Sequence, residues 1–286
     1  MEVRSTAVRY GFKTAPMNTT WSAMLDVWRV ADELDIFESG WNFDHFEPIF
    51  SDRSGPCMEG WSMLAAMAAA TSRVRLGCQV SGMPYRHPSV LANIAATVDV
   101  ISDGRLNVGL GAGWNEEESH ALGLTLPPLK ERFDQFEEGV QVIIALLSED
   151  RATFQGEHFT LTDAWCEPKP VQRPHPPIAI GGNGERRTLR IVAQHAQHWN
   201  STLGDVAQWQ HKVEVLERHC ADVGRDPSEI ERSVNVRLMA GDDPRSLQPA
   251  VQAWKDVGAD VCIVYLGTPH DAAVLEPLAA ALADVG

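Results

Sequence analysis

The fold class that the sequence predicts is α/β, in the form of a single (β/α)8 TIM barrel. Two observations predict it: strand-like and helix-like segments alternate in eight units, and the 286 residues are about what one such barrel uses. A doubly wound parallel sheet also alternates strands with helices. The glycines of GLGAGW, however, follow a G-x-G-x-G spacing, whereas dinucleotide folds of that class use G-x-G-x-x-G. We therefore expect one barrel domain over residues 1–286.

The first half of the chain predicts four strands and five helices. Runs rich in β-branched and aromatic residues indicate strands, and apolar residues three and four positions apart indicate helices. The first helix, for example, places Trp21, Met24 and Trp28 on one stripe and has Thr19 or Thr20 available as its N-cap. The predicted strands are 3–12, 36–43, 73–82 and 105–111, and the predicted helices are 20–34, 59–72, 88–102, 115–121 and 130–148.

An insertion is predicted between the fourth helical region and the fifth strand, at about residues 150–176. Two short alternating runs around Gln155 and Gly156 indicate a β-hairpin, and a proline-rich connector follows them. The regular alternation then resumes. The predicted strands are 178–182, 196–202, 233–240 and 260–267, and the predicted helices are 185–195, 205–223, 246–257 and one at the carboxyl end.

The composition argues against nucleic acid and membranes as partners. The chain has 24 Lys and Arg against 39 Asp and Glu, a net charge of -15, so its surface would repel phosphate backbones and anionic lipid headgroups. No run reaches the roughly 18 apolar residues of a spanning helix, and the amino terminus has no apolar segment like that of a secretory signal. We expect a cytoplasmic protein.

Several catalytic classes are also excluded by motif. The five cysteines are widely spaced and form no C-x-x-C pair, which predicts reduced thiols rather than disulfides or a zinc site. The sequence has no G-x-S-x-G elbow, no H-E-x-x-H helix and no G-x-x-x-x-G-K loop. We therefore expect no metal, and neither a serine hydrolase nor a nucleotide hydrolase.

The loops that follow the strands should carry the active site, because the carboxyl ends of barrel strands form its mouth. Asp44 and His45 follow the second strand, and a neighbouring carboxylate could orient the imidazole and keep it ready for proton transfer near neutral pH. An isolated pair of this kind is as often a structural loop contact. After the third strand, GCQVSGMPYRHP ends the strand in small residues, which would let the backbone approach a flat ligand.

Two glycine-rich loops each open a helix, and their charges distinguish them. GLGAGWNEEE puts Glu116, Glu117 and Glu118 in the first helical turn, where they suit the helix dipole and would repel a phosphate. GGNGERRTLR puts Arg186 and Arg187 into the first turns of its helix. That placement is unfavourable by roughly 0.3 to 1 kcal/mol each unless an anion binds there. The second loop is therefore the predicted phosphate site, unless the arginines are simply solvated.

Five segments together resemble the luciferase-like flavin and deazaflavin oxidoreductases. They run in order over nearly the whole chain and match best the branch that uses coenzyme F420, an 8-hydroxy-5-deazaflavin. The resemblance implies a TIM barrel that holds the coenzyme ring at its carboxyl-terminal mouth, and a homodimer. The segments are DHF, RVRLGCQVSGMPYRHPSVLA, SDGRLNVGLGAGWNEEESHALG, LKERFDQFEEGVQVI and PPIAIGGNGERRTLR.

The same resemblance assigns roles to individual residues. It implies a non-prolyl cis peptide bond between Gln79 and Val80 that supports the ring, and it makes His45 the acid or base beside the ring. The loop after strand four would lie along the coenzyme, and the turn after strand five would hold its phosphate. The residues concerned are Gly111, Ala112, Gly113 and Trp114 in the first loop and Gly181, Gly182, Asn183, Gly184 and Arg186 in the second.

The reaction that follows is hydride transfer between F420 and an unidentified small organic substrate. His45 would supply or accept the proton, and Asp44 would orient His45. Sugar-phosphate dehydrogenases of the family carry a Trp four residues after that histidine and a Glu in the loop after strand four. This chain has Ile49 and Trp114 in those places, so a sugar-phosphate activity is not expected.

Two alternatives stay open on the sequence. The same barrel could bind FMN and act as a monooxygenase, supplied with reduced flavin by a separate reductase, or it could be a coenzyme-binding protein without turnover. The long acidic tail of F420 would need additional cations near the mouth, whereas FMN would not. The candidates for those cations are Arg86, Lys130 and Arg132.

Overall fold

The predicted barrel is present in the computed structural model, which describes residues 8–285. Eight parallel strand positions form a closed ring, in which each strand pairs with its neighbours and the third pairs with the fourth to complete the circle. The strands are β1 (Arg9–Thr14), β2 (Phe37–Asn42), β3 (Arg75–Cys78), β4 (Ser81–Gly82), β5 (Leu106–Gly111), β6 (Ala152–Gln155), β7 (Thr160–Ala164), β8 (Ile178–Gly181), β9 (His198–Ser201), β10 (Glu231–Leu238) and β11 (Val261–Leu266).

The helices pack on the outside of this ring. They are α1 (Trp21–Glu33), α2 (Gly60–Ala70), α3 (Pro88–Ile101), α4 (Glu116–Ala121), α5 (Leu129–Ser148), α6 (Thr188–His195), α7 (Val206–Val223), α8 (Gln248–Asp256) and α9 (Leu275–Ala283). Their order confirms the alternation read from the sequence. Thr20 caps α1 as predicted, because its hydroxyl accepts a hydrogen bond from the Ala23 amide.

Three boundaries differ from the prediction. The third strand is interrupted after Cys78 and resumes at Ser81, because the chain turns at the peptide bond between Gln79 and Val80. Helix α6 begins at Thr188 rather than at residue 185. The first predicted strand, 3–12, falls partly on residues 1–7, which lie outside the described residues; its described part is β1.

The predicted hairpin insertion is confirmed as the antiparallel pair β6 and β7. The Glu138 carboxylate of α5 fastens the turn, since it accepts hydrogen bonds from the backbone amides of Glu157, His158 and Phe159 at 2.8 to 3.0 Å. The insertion is therefore held against the outer helical layer, away from the strand ends that form the mouth.

Inside the barrel, Trp41, Ala179, Val261 and Ile263 form a buried apolar cluster. Within residues 8–285, no helix is both long enough and apolar enough to cross a bilayer. The described residues also contain no group of three or more His, Cys, Asp or Glu placed to hold a metal ion, and all five cysteines are free.

Candidate active site

A cavity of about 910 Å³ opens at the carboxyl-terminal end of the barrel strands. Its lining includes His45 after β2, both residues of the Gln79–Val80 bond and Trp114 after β5. Gly113, Gly181 and Gly182 also line it. Predicted site residues from the loops after four different strands therefore face one cavity. Gly111 and Ala112 do not: Gly111 is buried at the end of β5, and Ala112 packs on the hydrophobic core.

A buried carboxylate holds the imidazole of His45 in place. The Nδ1 atom of His45 lies 2.8 Å from Oε2 of Glu118, whose side chain is fully buried in the first turn of α4. The Tyr85 hydroxyl donates a hydrogen bond to the same carboxylate oxygen. The other oxygen, Oε1, accepts from the Phe46 amide at 2.6 Å, so the carboxylate also fixes the loop that carries His45.

These contacts determine which nitrogen of His45 is available. Burial alone would raise the pKa of Glu118, but the hydrogen bonds from His45, Tyr85 and the Phe46 amide outweigh burial and lower it. Burial and the hydrogen bond to Glu118 raise the pKa of Tyr85, so its hydroxyl keeps its proton. An ionised Glu118 only accepts, hence Nδ1 of His45 is the donor and Nε2 is the nitrogen left to exchange a proton.

The prediction that Asp44 orients His45 is wrong. The Asp44 carboxylate is fully buried and binds the guanidinium of Arg86 through two hydrogen bonds, of 2.5 and 2.9 Å. Arg86 also contacts Glu59, the N-cap of α2. Adjacent side chains in an extended segment point in opposite directions, so Asp44 faces the helix layer while His45 faces the cavity. Asp44 therefore anchors the loop, and Glu118 has the role assigned to it.

The peptide bond between Gln79 and Val80 is cis, as the resemblance implies. It raises the Val80 side chain into the cavity wall, where glycines make room for it. A Cβ atom on Gly111 would come within 2.6 Å of Val80 Cγ2, and one on Gly181 within 2.9 Å of Val80 Cγ1. The result is a smooth ridge between two glycine-bearing strands, a surface that fits the face of a planar ring.

The turn after β8 leaves the predicted phosphate site untested and corrects the argument for one of its two arginines. Gly182 has a φ of 125° and lines the cavity, while Asn183 is bound to Ser201 and Thr202. Arg186 is exposed. Arg187 precedes the helix and forms ion pairs with Asp134 at 2.8 Å and with Glu137 at 3.2 Å. Its charge is compensated by the protein and needs no bound anion.

The three cations predicted to bind an acidic coenzyme tail also contact other groups of the protein. Arg86 belongs to the Asp44 pair, and Lys130 lies 2.9 Å from an Asp134 carboxylate oxygen. Arg132 is buried and donates to the backbone carbonyls of Pro127 and Gly113 at 3.0 and 3.3 Å. None of the three is an unpaired charge at the mouth.

Sequence reasoning missed four residues that line or complete the site. Glu118 was attributed to the helix dipole, and Tyr85 was given no role of its own. Lys13 and Arg237, both in the cavity wall, were not considered at all. A signal existed for these two: each is a charged residue near the carboxyl end of a barrel strand, the end that forms the mouth.

Comparison with known proteins places the chain in a family. The profile described as luciferase-like monooxygenase matches residues 5–282. An uncharacterized protein of Mycobacterium tuberculosis is 33% identical over 238 residues, which are 81% of this chain and 79% of the relative. An F420-dependent glucose-6-phosphate dehydrogenase of Kineococcus radiotolerans is 30% identical over 251 residues, 86% of this chain and 72% of that protein.

More distant matches extend over different activities. An FMNH(2)-dependent dimethylsulfone monooxygenase of Pseudomonas putida is 27% identical over 208 residues, 68% of this chain and 56% of that enzyme. The solved structure of an F420-dependent secondary alcohol dehydrogenase superposes with a TM-score of 0.85 at 19% identity, covering 98% of this chain and 99% of its own. At that identity the likeness shows a common fold. The profile match over residues 5–282 shows that the chain belongs to the luciferase-like monooxygenase family. Its similarity to relatives that match most of its length shows that it is an enzyme of the oxidoreductase class.

Proposed function

We propose that the protein is an F420-dependent oxidoreductase that transfers a hydride between the deazaflavin and a small organic substrate. The observation that carries this proposal is the buried bond between His45 and Glu118 at the wall of a cavity that also contains the cis bond at Val80. A proton-transfer group and a ring-sized apolar ridge thus face the same enclosed volume. Relatives named as F420-dependent dehydrogenases support the choice of coenzyme.

Residues of the cavity wall would hold the coenzyme. The ridge at Gln79 and Val80 would support the ring from below, with Gly113 and Trp114 beside it. The turn from Gly181 to Gly184, together with the exposed Arg186, would hold the phosphate. Bound there, the deazaflavin supplies a carbon centre that gives or accepts a hydride but does not activate oxygen.

His45 would supply or remove the substrate proton through Nε2. Glu118 would keep the ring oriented, because its carboxylate accepts the hydrogen bond from Nδ1 and leaves Nε2 for the substrate. Tyr85 shares the same carboxylate and limits how far Glu118 can rotate. Trp114 would shield the site from water: its ring lies 5.6 Å from the His45 ring, and Phe50 stacks on its outer face at 5.5 Å.

A second candidate is an FMN-dependent monooxygenase that receives reduced flavin from a separate reductase. The bonding of Arg86 and Arg132 to groups of the protein favours it, because these two side chains are not free to meet the acidic tail of F420. The relative named as an FMNH(2)-dependent monooxygenase supports it too. Both candidates use the same ridge and phosphate turn.

The substrate class is narrowed by two positions. Ile49 and Trp114 line the cavity where sugar-phosphate dehydrogenases of the family carry a tryptophan and a glutamate. Ile49 provides neither a ring to stack on a sugar nor a hydrogen-bonding group. We therefore propose a less polar substrate than a sugar phosphate. A homodimer and a cytoplasmic location are kept as predictions, which gel filtration and cell fractionation would measure.

Coenzyme titration tests the proposal. Purified protein is titrated separately with F420 and with FMN while quenching of the coenzyme fluorescence is followed. Micromolar binding of F420 and weak binding of FMN are expected; micromolar binding of FMN alone would transfer the assignment to the monooxygenase. F420 that binds tightly but is neither oxidised nor reduced across a panel of alcohols, aldehydes and acids would instead indicate a binding protein without turnover.

A further inference from the structure

Two cationic side chains lie near each other in the cavity wall, and neither has an anionic partner among residues 8–285. Lys13 in β1 is in register with Tyr265 in β11, and Tyr265 is in register with Arg237 in β10. Each is the penultimate residue of its strand, so the three side chains occupy one level of the barrel mouth. All three line the cavity. Adjacent strands are roughly 4.8 Å apart, hence the cations flank Tyr265 at a separation that two long side chains can bridge.

No carboxylate of residues 8–285 forms an ion pair with Lys13 or Arg237, in a chain of net charge -15. Lys13 instead donates to the backbone carbonyl of Gln79 at 2.7 Å, which leaves further N–H groups of the ammonium available. Burial lowers the pKa of Lys13 to about 8, and the nearby Arg237 charge acts in the same direction. Arg237 is exposed to solvent, and within residues 8–285 neither cation has a carboxylate partner.

A third donor points to a ligand at the same place. The side chain of Gln79 is only 5% exposed and lines the cavity, and its Nε2 group has no hydrogen-bond partner among the described residues. A buried amide donor without an acceptor costs about 1 to 3 kcal/mol. A ligand oxygen that accepts from Gln79 would remove that cost while neutralising Lys13, which lies beside it.

The wall next to these donors is apolar. Met17, Phe43, Ile49 and Tyr265 pack into one small cluster, and all of them line the cavity. Tyr265 therefore belongs both to this cluster and to the level that carries the two cations. A ligand that satisfies both would have an apolar body and one negatively charged group at its end.

We propose that Lys13, Arg237 and Gln79 form a subsite that binds the carboxylate of the substrate, so that the oxidoreductase acts on an apolar or aromatic carboxylic acid. A carboxylate presents two oxygens in a plane, which suits the paired N–H groups of Arg237 and leaves lone pairs for Lys13 and Gln79. This inference deepens the proposed function and rests on it, since the coenzyme would occupy the ridge at Val80.

The test compares shape-matched probes with and without charge. Benzoate, neutral benzamide and phenyl phosphate are titrated by calorimetry into the protein alone and into the protein loaded with F420. Benzoate is expected to bind about tenfold or more tightly than benzamide in both forms. Lys13→Met and Arg237→Gln should each weaken benzoate by about tenfold and leave benzamide unchanged. Arg9→Gln, which removes the same charge from the opposite end of β1, is the matched control and should change neither.

Three results would overturn the subsite. Equal affinity for benzoate and benzamide would show that the cations do not select charge, and tighter binding of phenyl phosphate would replace the carboxylate with a phosphoryl group. Competition between benzoate and F420 would assign the cations to the coenzyme. Failure of F420 and FMN to bind is a separate outcome: it would remove the proposed function, whereas the preference for benzoate over benzamide is measured without either.

Discussion

Strands β1 and β10 carry basic side chains at both ends of the barrel, but within the described residues these side chains form ion pairs only at the amino-terminal end. At the amino-terminal end, Arg9 of β1 forms ion pairs with Glu38, at 3.2 Å, and with Glu231, the first residue of β10. At the carboxyl-terminal end, Lys13 of β1 and Arg237 of β10 face the cavity without any such pair among residues 8–285. Charges that serve the fold are matched within it. Charges left unmatched are available to a ligand.

Histidine shows the same contrast. His198 lies at the amino-terminal end of β9, where burial lowers its pKa and Ser233 and Glu231 surround it at 2.5 and 3.5 Å. His45 lies at the other end, with one nitrogen bound to Glu118 and the other left over. The first arrangement holds a ring in place, and the second orients a ring toward a cavity. The difference indicates that residues at the amino-terminal end of the barrel stabilise the fold, whereas residues at the carboxyl-terminal end carry out the reaction.

The largest effect that would test this contrast is on turnover. His45→Ala should lower kcat by about 10²- to 10⁴-fold, because the proton-transfer group is lost, while F420 still binds. The measurement is the rate of deazaflavin absorbance change with the first substrate found. His198→Asn is the matched control at the opposite end, and there kcat should stay within about threefold while the free energy of unfolding falls. Equal losses of kcat in both variants would break the distinction between the two ends.

The next effect concerns stability at the amino-terminal end. Arg105, just before β5, donates to the backbone carbonyls of Ala68, Thr71, Val74 and Ser102 at 2.7 to 2.8 Å. Arg105→Met should lower the free energy of unfolding by about 3 to 5 kcal/mol, because several enclosed carbonyls lose their donors together. Urea unfolding followed by circular dichroism measures it. Arg186→Met, which removes an exposed arginine near the mouth, should change it by less than about 0.5 kcal/mol.

The smallest effect has the opposite sign. Lys13→Met should raise the free energy of unfolding of the ligand-free protein by about 2 kcal/mol at pH 7. The substitution removes the cost of holding a partly buried lysine whose pKa is about 8 rather than 10.5, and it also removes one hydrogen bond. Arg9→Met, at the amino-terminal end of the barrel, should lower the free energy of unfolding slightly. A Lys13→Met variant that is less stable than wild type would contradict the interpretation that Lys13 is kept for binding.

The pH dependence sharpens this test. Below about pH 8 Lys13 is protonated in the folded and the unfolded state, so its full cost is present. Between pH 8 and 10.5 the unfolded chain binds more protons than the folded one, and the stability contribution of Lys13 therefore rises with pH. The advantage of Lys13→Met over wild type should shrink across that window. An advantage that stays constant to pH 10.5 would mean that the lysine titrates normally.

Most of the fold could be predicted because its signals are local. The apolar spacing of α1 and its Thr20 cap, the hairpin around Gln155 and the order of the barrel strands all depend on residues close together in the chain. Glycines mark the turns after β5 and β8 for the same reason. The boundaries that were missed, at Val80 and at Thr188, lie where the backbone departs from regular geometry.

The sequence by itself determined the barrel, the cavity end and the position of His45 after the second strand. Only the tertiary structure decided which groups meet there. Glu118 reaches His45 across 73 positions, and the nearer Asp44 turns to Arg86 instead. The row of Lys13, Tyr265 and Arg237 depends on the register of β11 with β10 and with β1, which lies more than 200 residues away along the chain. Hydrophobic periodicity does not encode that register. Hydrophobic periodicity indicates which face of a helix or strand is buried. Which side chains contact each other depends on how elements distant in the chain align.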